Sequence, residues 1–207
     1  MRSTDHSSLW RVPSVEGVEA FKACFTSFSY ARHSHESYAF GTIDEGTMRF
    51  WHGGDMHGAA CGEIITLNPG EVHDGRSGLP EGCRYRMLYV ERAAIEQLIE
   101  ADAPQIRNVF ALSGPVLRDA LLAQCVKEFH LSLEAEGADS VLPLEQQSRL
   151  IQVLSLLFSR YGRPRLELPG EVAEKRCVGR AKEYMIEHLG DPVRLSDLAQ
   201  AVGLSPF

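Results

Sequence analysis

No apolar run in this sequence approaches the ~18 residues of a membrane span, so no membrane partner is expected. The opening stretch, Met1–Arg11, is polar and lacks the apolar core of a signal peptide, and a cytoplasmic location is expected. Cys-x-x-Cys pairs are missing too. The five cysteines, Cys24, Cys61, Cys83, Cys125 and Cys177, are scattered and odd in number. They read as free thiols in a reducing compartment. Nor is there a positive surplus: 21 Lys and Arg stand against 28 Asp and Glu, a net charge of −7. Residues 1–90 carry 8 basic against 11 acidic groups and residues 91–172 carry 8 against 12; only 173–207 balance, at 5 and 5. An acidic body does not track nucleic-acid phosphates. Hydrophobic residues make up 44% and charged residues 24%, which excludes wholesale disorder, collagen and coiled coil. At 207 residues the chain can bury a core without disulfide or metal staples, as one large domain or one domain plus a small one.

Three textures follow one another. Residues 1–90 are rich in glycine, aromatic and β-branched residues, in short runs broken by turn signals. Phe25–Arg32, Tyr38–Ile43, Thr47–His52, Glu63–Leu67 and Arg84–Val90 read as strands. Asp44-Glu45-Gly46 reads as a tight hairpin, and Gly53-Gly54-Asp55 and Asn68-Pro69-Gly70 as further turns. Such strands without intervening helices predict an antiparallel sandwich or small barrel. Residues 91–161 switch to helical spacing: a short helix over Arg92–Asp102, a second opened by Ser113-Gly114-Pro115, and a third from Pro143. Leu117, Leu121 and Phe129 lie on one stripe of the second helix; Ile151, Leu154 and Phe158 lie on one stripe of the third, widened by Leu150, Val153 and Leu157. So broad an apolar face predicts packing on two sides, against a partner helix and against the sheet or a second subunit. Residues 162–173 read as a linker. Beyond it Glu174–His188 and Leu195–Val202 read as helices, and Gly203-Leu204-Ser205-Pro206 as a turn in which Ser205 caps a further helix with Pro206 in its first turn.

Leu195-Ser196-Asp197-Leu198-Ala199, then Val202-Gly203-Leu204-Ser205-Pro206-Phe207, resembles the first helix-turn-helix of the AraC/XylS family of bacterial transcription regulators. Arg180–His188 resembles that family's leading helix. His33-Ser34-His35-Glu36-Ser37-Tyr38 and Leu67-Asn68-Pro69-Gly70-Glu71-Val72-His73-Asp74-Gly75 resemble its effector-binding domain, a cupin-like barrel. The resemblance implies an α+β chain: a cupin-like antiparallel β-barrel over 1–90, a helical dimerisation region over 91–161 and an incomplete helix-turn-helix domain over 174–207. It implies a small-molecule effector, a homodimer seamed through Leu117, Leu121, Phe129, Ile151, Leu154 and Phe158, and DNA as partner of a longer regulator. Ser205 and Pro206 only begin the recognition helix. Base readout comes from such a helix, so the chain as given is expected to sense and dimerise without reading DNA specifically.

The cupin pattern places His-x-His on one strand, a Glu about four residues on, and a third His after a Gly- and Pro-containing turn. His33 and His35 match the first motif, and Gly62, Gly70 and His73 keep the spacing of the second, with proline one place late at Pro69. The carboxylate position falls at Ala39 or Phe40, neither of which can ligate. Three imidazoles with an open position suit Zn, Ni or Fe. The same histidines could instead meet an effector directly, or simply hydrogen-bond within the fold. His52 and His57, flanking a turn, read as solvated. Trp51 and Phe50 lie on opposite faces of one strand, so one of them lines the interior. Arg84 and Arg86 share a face; pointing inward, either could grip an effector carboxylate, and pointing outward, both are surface groups. Three functions compete: a ligand-responsive regulator, a metal-dependent cupin isomerase or dioxygenase, and an interaction module that pairs with a full-length relative.

Overall fold

Successive side chains of a strand point to opposite faces. From Tyr38 to Ile43 every residue is buried, so that strand is covered on both sides. A computed structural model, which describes residues 5–102, 111–134, 143–163 and 169–205, shows by what. Eight strands come first: β1 (His6–Arg11), β2 (Val18–Phe25), β3 (Ser29–His33), β4 (Tyr38–His52), β5 (Asp55–Ala60), β6 (Ile64–Leu67), β7 (His73–Ser77) and β8 (Cys83–Val90). Then follow helix α1 (Arg92–Asp102), the short strands β9 (Ala111–Leu112) and β10 (Val116–Leu117), helices α2 (Ala120–Glu134) and α3 (Pro143–Tyr161), strand β11 (Gly162–Arg163), and helices α4 (Pro169–Glu187) and α5 (Leu195–Val202). The chain divides into two units, Met1–Pro164 and Arg165–Phe207.

In the first unit all pairings of the main sheet are antiparallel, and the mixed α+β class is as expected. The expected closed barrel is not formed. Among the described residues the pairings run β1-β2-β8-β4-β6-β10, with β5 and β7 branching from β4 and β3 pairing with β7, and the path never returns on itself. The reason lies in β4. Asp44-Glu45-Gly46 is not a hairpin but an irregularity inside one 15-residue strand, where the register against β8 shifts between Ile43 and Glu45. Before it β4 pairs with β8 and β6; after it, with β5 and β7. One strand thus serves two layers.

The two faces have different partners. Ala39, Ile43, Tyr85 and Met87 face Met48, Phe50 and Ala59 of the other layer. Tyr38, Phe40, Leu88 and Val90 face the helices, burying Leu122, Val126, Phe129, Leu150, Leu154, Leu157 and Phe158. The broad apolar stripe of α3 is consumed here, between α2, α1 and the sheet. Of the residues expected at a dimer seam, Phe129, Leu154 and Phe158 are buried in this core, and so is Leu117, which lies in β10 rather than on a helix. Their side chains are closed to a second copy. Leu121 is exposed and Ile151 half-buried.

Helix α2 begins later than the Ser-Gly-Pro signal predicts, because residues 113–117 serve the sheet. The carbonyls of Gly114 and Pro115 accept from Thr66 Oγ1 and Thr66 N–H. Asp119 caps the helix instead. Its Oδ1 accepts the Leu122 N–H at 3.0 Å, while Oδ2 accepts from Arg160 Nη1 at 2.6 Å and the Tyr161 hydroxyl at 3.0 Å, tying the start of α2 to the end of α3. Asp119→Ala is expected to cost about 1–2 kcal/mol in urea unfolding, the range for a lost N-cap. An unchanged midpoint would show that the cap contributes nothing.

In the second unit α4 starts at Pro169, inside the stretch expected as linker, and Gly162–Arg163 pair with Ala111–Leu112 within the first unit. Helix α5 has the expected bounds and ends at Gly203, where the Leu204 N–H reaches the Ala199 carbonyl at 2.8 Å. Ala199 is buried. Ser205 is exposed, and Pro206 lies outside the described residues.

Candidate functional site

The short strand β3 carries His33 at its end. Its register against β7 runs Ser29↔Arg76 and Tyr30↔Gly75, then slips, so that His33 faces His73. His35 is not on the same strand, as its spacing predicts, but in the loop that follows. That loop is held because the Gly70 N–H donates to the His35 carbonyl at 2.8 Å. The two sequence motifs are thereby joined. One ring nitrogen from each of His33, His35 and His73 lies within 4.8 Å of the others. Ring centroids stand 4.3 Å apart for His33 and His73, 4.8 Å for His35 and His73, and 6.0 Å for His33 and His35. His33 is exposed, His35 half-buried and His73 buried, so the cluster opens to solvent on the His33 side.

The backbone fixes the protons. Nδ1 of His33 meets the Ala31 carbonyl at 2.8 Å, Nδ1 of His73 the Glu71 carbonyl at 2.9 Å, and Nδ1 of His35 the Ser37 carbonyl at a longer 3.4 Å. A carbonyl oxygen only accepts, so Nδ1 donates in each ring and Nε2 is the nitrogen left to ligate. Burial pushes the His35 imidazole down and takes His73 to about 4, which keeps both neutral at pH 7. A neutral imidazole with Nδ1–H on a carbonyl is the form in which histidine ligates a metal. A common ion at ~2.1 Å draws its donors to roughly 3.0–3.4 Å, within reach of small ring movements. Among the described residues no carboxylate joins the cluster, and Ala39 is fully buried in the layer beneath. The donor set therefore fits a borderline divalent ion, Zn, Ni or Fe, with positions left open.

Other candidates go elsewhere. His52 is not solvated: its Nε2 is 2.9 Å from Glu71 Oε2, which also accepts the Asn68 N–H at 2.7 Å. His57 Nε2 meets the His52 carbonyl at 3.1 Å. Phe50 takes the inner face, and Trp51 lies on the outer one, its ring 4.0 Å below the Arg32 guanidinium. Arg84 and Arg86 do not reach the cluster either. Arg84 pairs with Glu45 at 3.1 Å in solvent. Arg86 turns to the helices, where Nε meets Asp44 Oδ2 at 2.6 Å and Nη1 meets Glu134 and His130. The positions that alternate with them do face inward. Tyr85 and Tyr89 join Phe21, Phe25 and Tyr30 on the inner side, and the Tyr89 ring stands 5.1 Å from His35. Sequence reasoning missed these tyrosines; strand parity on β8 was the only signal for them. Burial raises the Tyr30 and Tyr85 hydroxyls and pushes Tyr89 up to about 12, so all three stay protonated.

Comparison with known proteins adds three findings. The family described as AraC-like ligand binding domain matches residues 16–154. Similar solved structures include an oxalate decarboxylase of Bacillus subtilis with Mn(II) centers, at 14% identity and a TM-score of 0.39 over 44% of this chain and 26% of that one. They also include a conserved Streptococcus pyogenes protein of unknown function, at 17% identity and a TM-score of 0.38 over 44% of this chain and 79% of that one. No curated protein matched. Because the matched family spans most of the sheet together with its packed helices, the chain belongs to the AraC-like ligand binding domain family.

Proposed function

We propose that this chain is the ligand-sensing part of a cytoplasmic transcription regulator, and that its effector binds at His33, His35 and His73. The observation that carries the reading is the solvent-facing cluster of three imidazoles, two of them held neutral, inside a domain of the AraC-like ligand-binding family. The exposed Leu121 stays open for a homodimer contact, and DNA is the partner of the regulator as a whole. Binding works by differential affinity for two arrangements of the domain.

A thermal-shift screen of small molecules tests it, followed by mass spectrometry of each hit. A sensor gives hits that raise the melting temperature by mass action, lose that effect in His73→Ala, and are recovered chemically unchanged. A hit consumed by the protein would favour a cupin enzyme instead, and hits indifferent to His73→Ala would remove the site.

The same donors would hold a divalent transition ion, which when bound supplies a Lewis-acidic point for an effector oxygen. The chain's own part is to fix the ring tautomers and leave the His33 side open. Metal analysis of protein purified without metal-affinity resin is expected to give one ion per chain, with affinity falling at least ~10-fold in His73→Ala. Equal metal content in both proteins would contradict this.

A further inference from the structure

In an antiparallel pair, residues directly opposite share a face, and like charges placed there repel. Arg49 of β4 stands opposite Arg76 of β7. Both are exposed, on the face turned away from the buried Met48, Phe50 and Gly75. Two residues along β4 the same face carries Trp51, which pairs with Met56 of β5. The Arg32 guanidinium of β3 lies 4.0 Å over the Trp51 ring. Met56 is 48% exposed. Three arginines, a tryptophan and a methionine thus form one patch on the outer side of the β5-β4-β7-β3 layer.

These arginines differ from the other cations of the first unit. Among its described residues, every other lysine and arginine except Arg163 pairs with a carboxylate. Arg32, Arg49 and Arg76 pair with none there, in a chain whose net charge is −7. Asp74 shares their face, but its Oδ1 accepts the Trp51 N–H at 2.7 Å, and it forms no ion pair among the described residues. The repulsion between Arg49 and Arg76 is therefore left uncompensated within the sheet.

Arginine, tryptophan and methionine are the residue types enriched at protein interfaces, and arginine and tryptophan carry much of the binding energy. A guanidinium matches a carboxylate with two parallel hydrogen bonds. Gly58 stands opposite Arg49 on β5, so no side chain crowds it from that strand. A second copy laid face to face would oppose the same arginines to one another. A DNA duplex offers charge but nothing apolar for Met56, and the acidic body repels it at long range. A bilayer requires more apolar surface than Met56 provides, because Trp51 is half-buried beneath Arg32.

We propose that this face docks an acidic segment of a partner protein, with carboxylates on Arg49 and Arg76 and an aliphatic side chain against Trp51 and Met56. The contact uses no residue of the three-histidine cluster and goes beyond the sensing role.

The test is fluorescence anisotropy of a labelled synthetic peptide repeating Glu-Glu-Leu, with Gln-Gln-Leu and Glu-Glu-Ser counterparts, a labelled DNA duplex, and co-sedimentation with phosphatidylglycerol vesicles. Glu-Glu-Leu is expected to bind at least ~10-fold more tightly than Gln-Gln-Leu. It is expected to bind about 3-fold or more tightly than Glu-Glu-Ser, which lacks the apolar group. The double variant Arg49→Gln/Arg76→Gln is expected to lose ~10-fold or more. Its melting temperature is expected to stay at or above that of the unaltered chain, because the cross-strand repulsion is relieved. Met56→Ser, at an exposed position, is expected to remove the preference for leucine over serine. Arg84→Gln, whose arginine pairs with Glu45 elsewhere, is expected to change nothing. Absence of peptide binding, equal binding of Gln-Gln-Leu, or indifference to the double variant would each overturn the proposal. So would tighter binding of the duplex or the vesicles, which would assign the face to nucleic acid or lipid. A double variant that melts lower or fails to fold would show that the arginines serve the fold, and would overturn it too.

Discussion

Arg86→Met is expected to lower the unfolding free energy by about 3–5 kcal/mol, the usual cost of removing one partner from a buried ionic group. The Arg86 side chain is 12% exposed and bridges β8 to both Asp44 and Glu134, whose side chains are 7% and 19% exposed. The buried His130 completes the group, its Nδ1 3.0 Å from Glu134 and its Nε2 3.0 Å from the Phe21 carbonyl. Without the guanidinium, the carboxylates of Asp44 on β4 and Glu134 at the end of α2 are left with less than they need. Lys22 still reaches Glu134 at 2.6 Å, but Lys127 Nζ stands 3.1 Å from Asp44 Oδ1 without the alignment of a hydrogen bond. Asp44 also sits where β4 leaves one layer for the other, so the damage falls on the bend that shapes the site. Urea unfolding at pH 7 reads the effect. A loss under about 1 kcal/mol would show that the lysines suffice and that the group is no more than a surface pair.

Gly41→Ala carries a second large expectation: a loss of at least about 3 kcal/mol, or no folded protein, since overpacking in a tight core has little room to relax. Gly41 pairs with Met87 on the inner face. A Cβ there would lie 2.7 Å from the Met87 Cα and 2.5 Å from its sulfur, with the Arg86 carbonyl closer still. Sulfur can swing aside; backbone of a central strand cannot. Gly58→Ala makes the comparison, because its added methyl meets only the Met48 carbonyl at an ordinary 3.9 Å. That change is expected to stay within about 0.5 kcal/mol. Equal, small losses in the two variants would show that the sheet yields at Gly41.

What the sequence disclosed, and what it hid, follows from which signals are local. The spacing of His33, His35 and His73 around a Gly-Pro turn is local, and it names three residues the fold does bring together. The α3 helix, opened by Pro143, is equally plain, as are α1 and α5. Parity is not local. A single irregularity at Asp44 decides which residues face inward, and a shift of one residue exchanges Tyr85 and Tyr89 for Arg84 and Arg86. Asp44-Glu45-Gly46 satisfies a hairpin and a bulged strand alike, because both accept a glycine at positive φ, here +78° at Gly46. That the fold buries Leu117, Phe129, Leu154 and Phe158 in its own core was hidden for another reason. Periodicity shows that a face is apolar, not whether the sheet, a neighbouring helix or a second chain covers it.

The most direct measurement is nitrogen NMR of the histidine side chains in the metal-free protein at pH 7.5, repeated after one equivalent of zinc. The expected spectrum shows Nδ1 protonated at His33, His35 and His73, with His35 and His73 neutral. Zinc is then expected to move the Nε2 resonances of these three and leave His52, His57 and His130 in place. Protons on Nε2 at His33 and His73, or zinc shifts spread over all the histidines or absent from these three, would contradict the assignment of this cluster as the binding site.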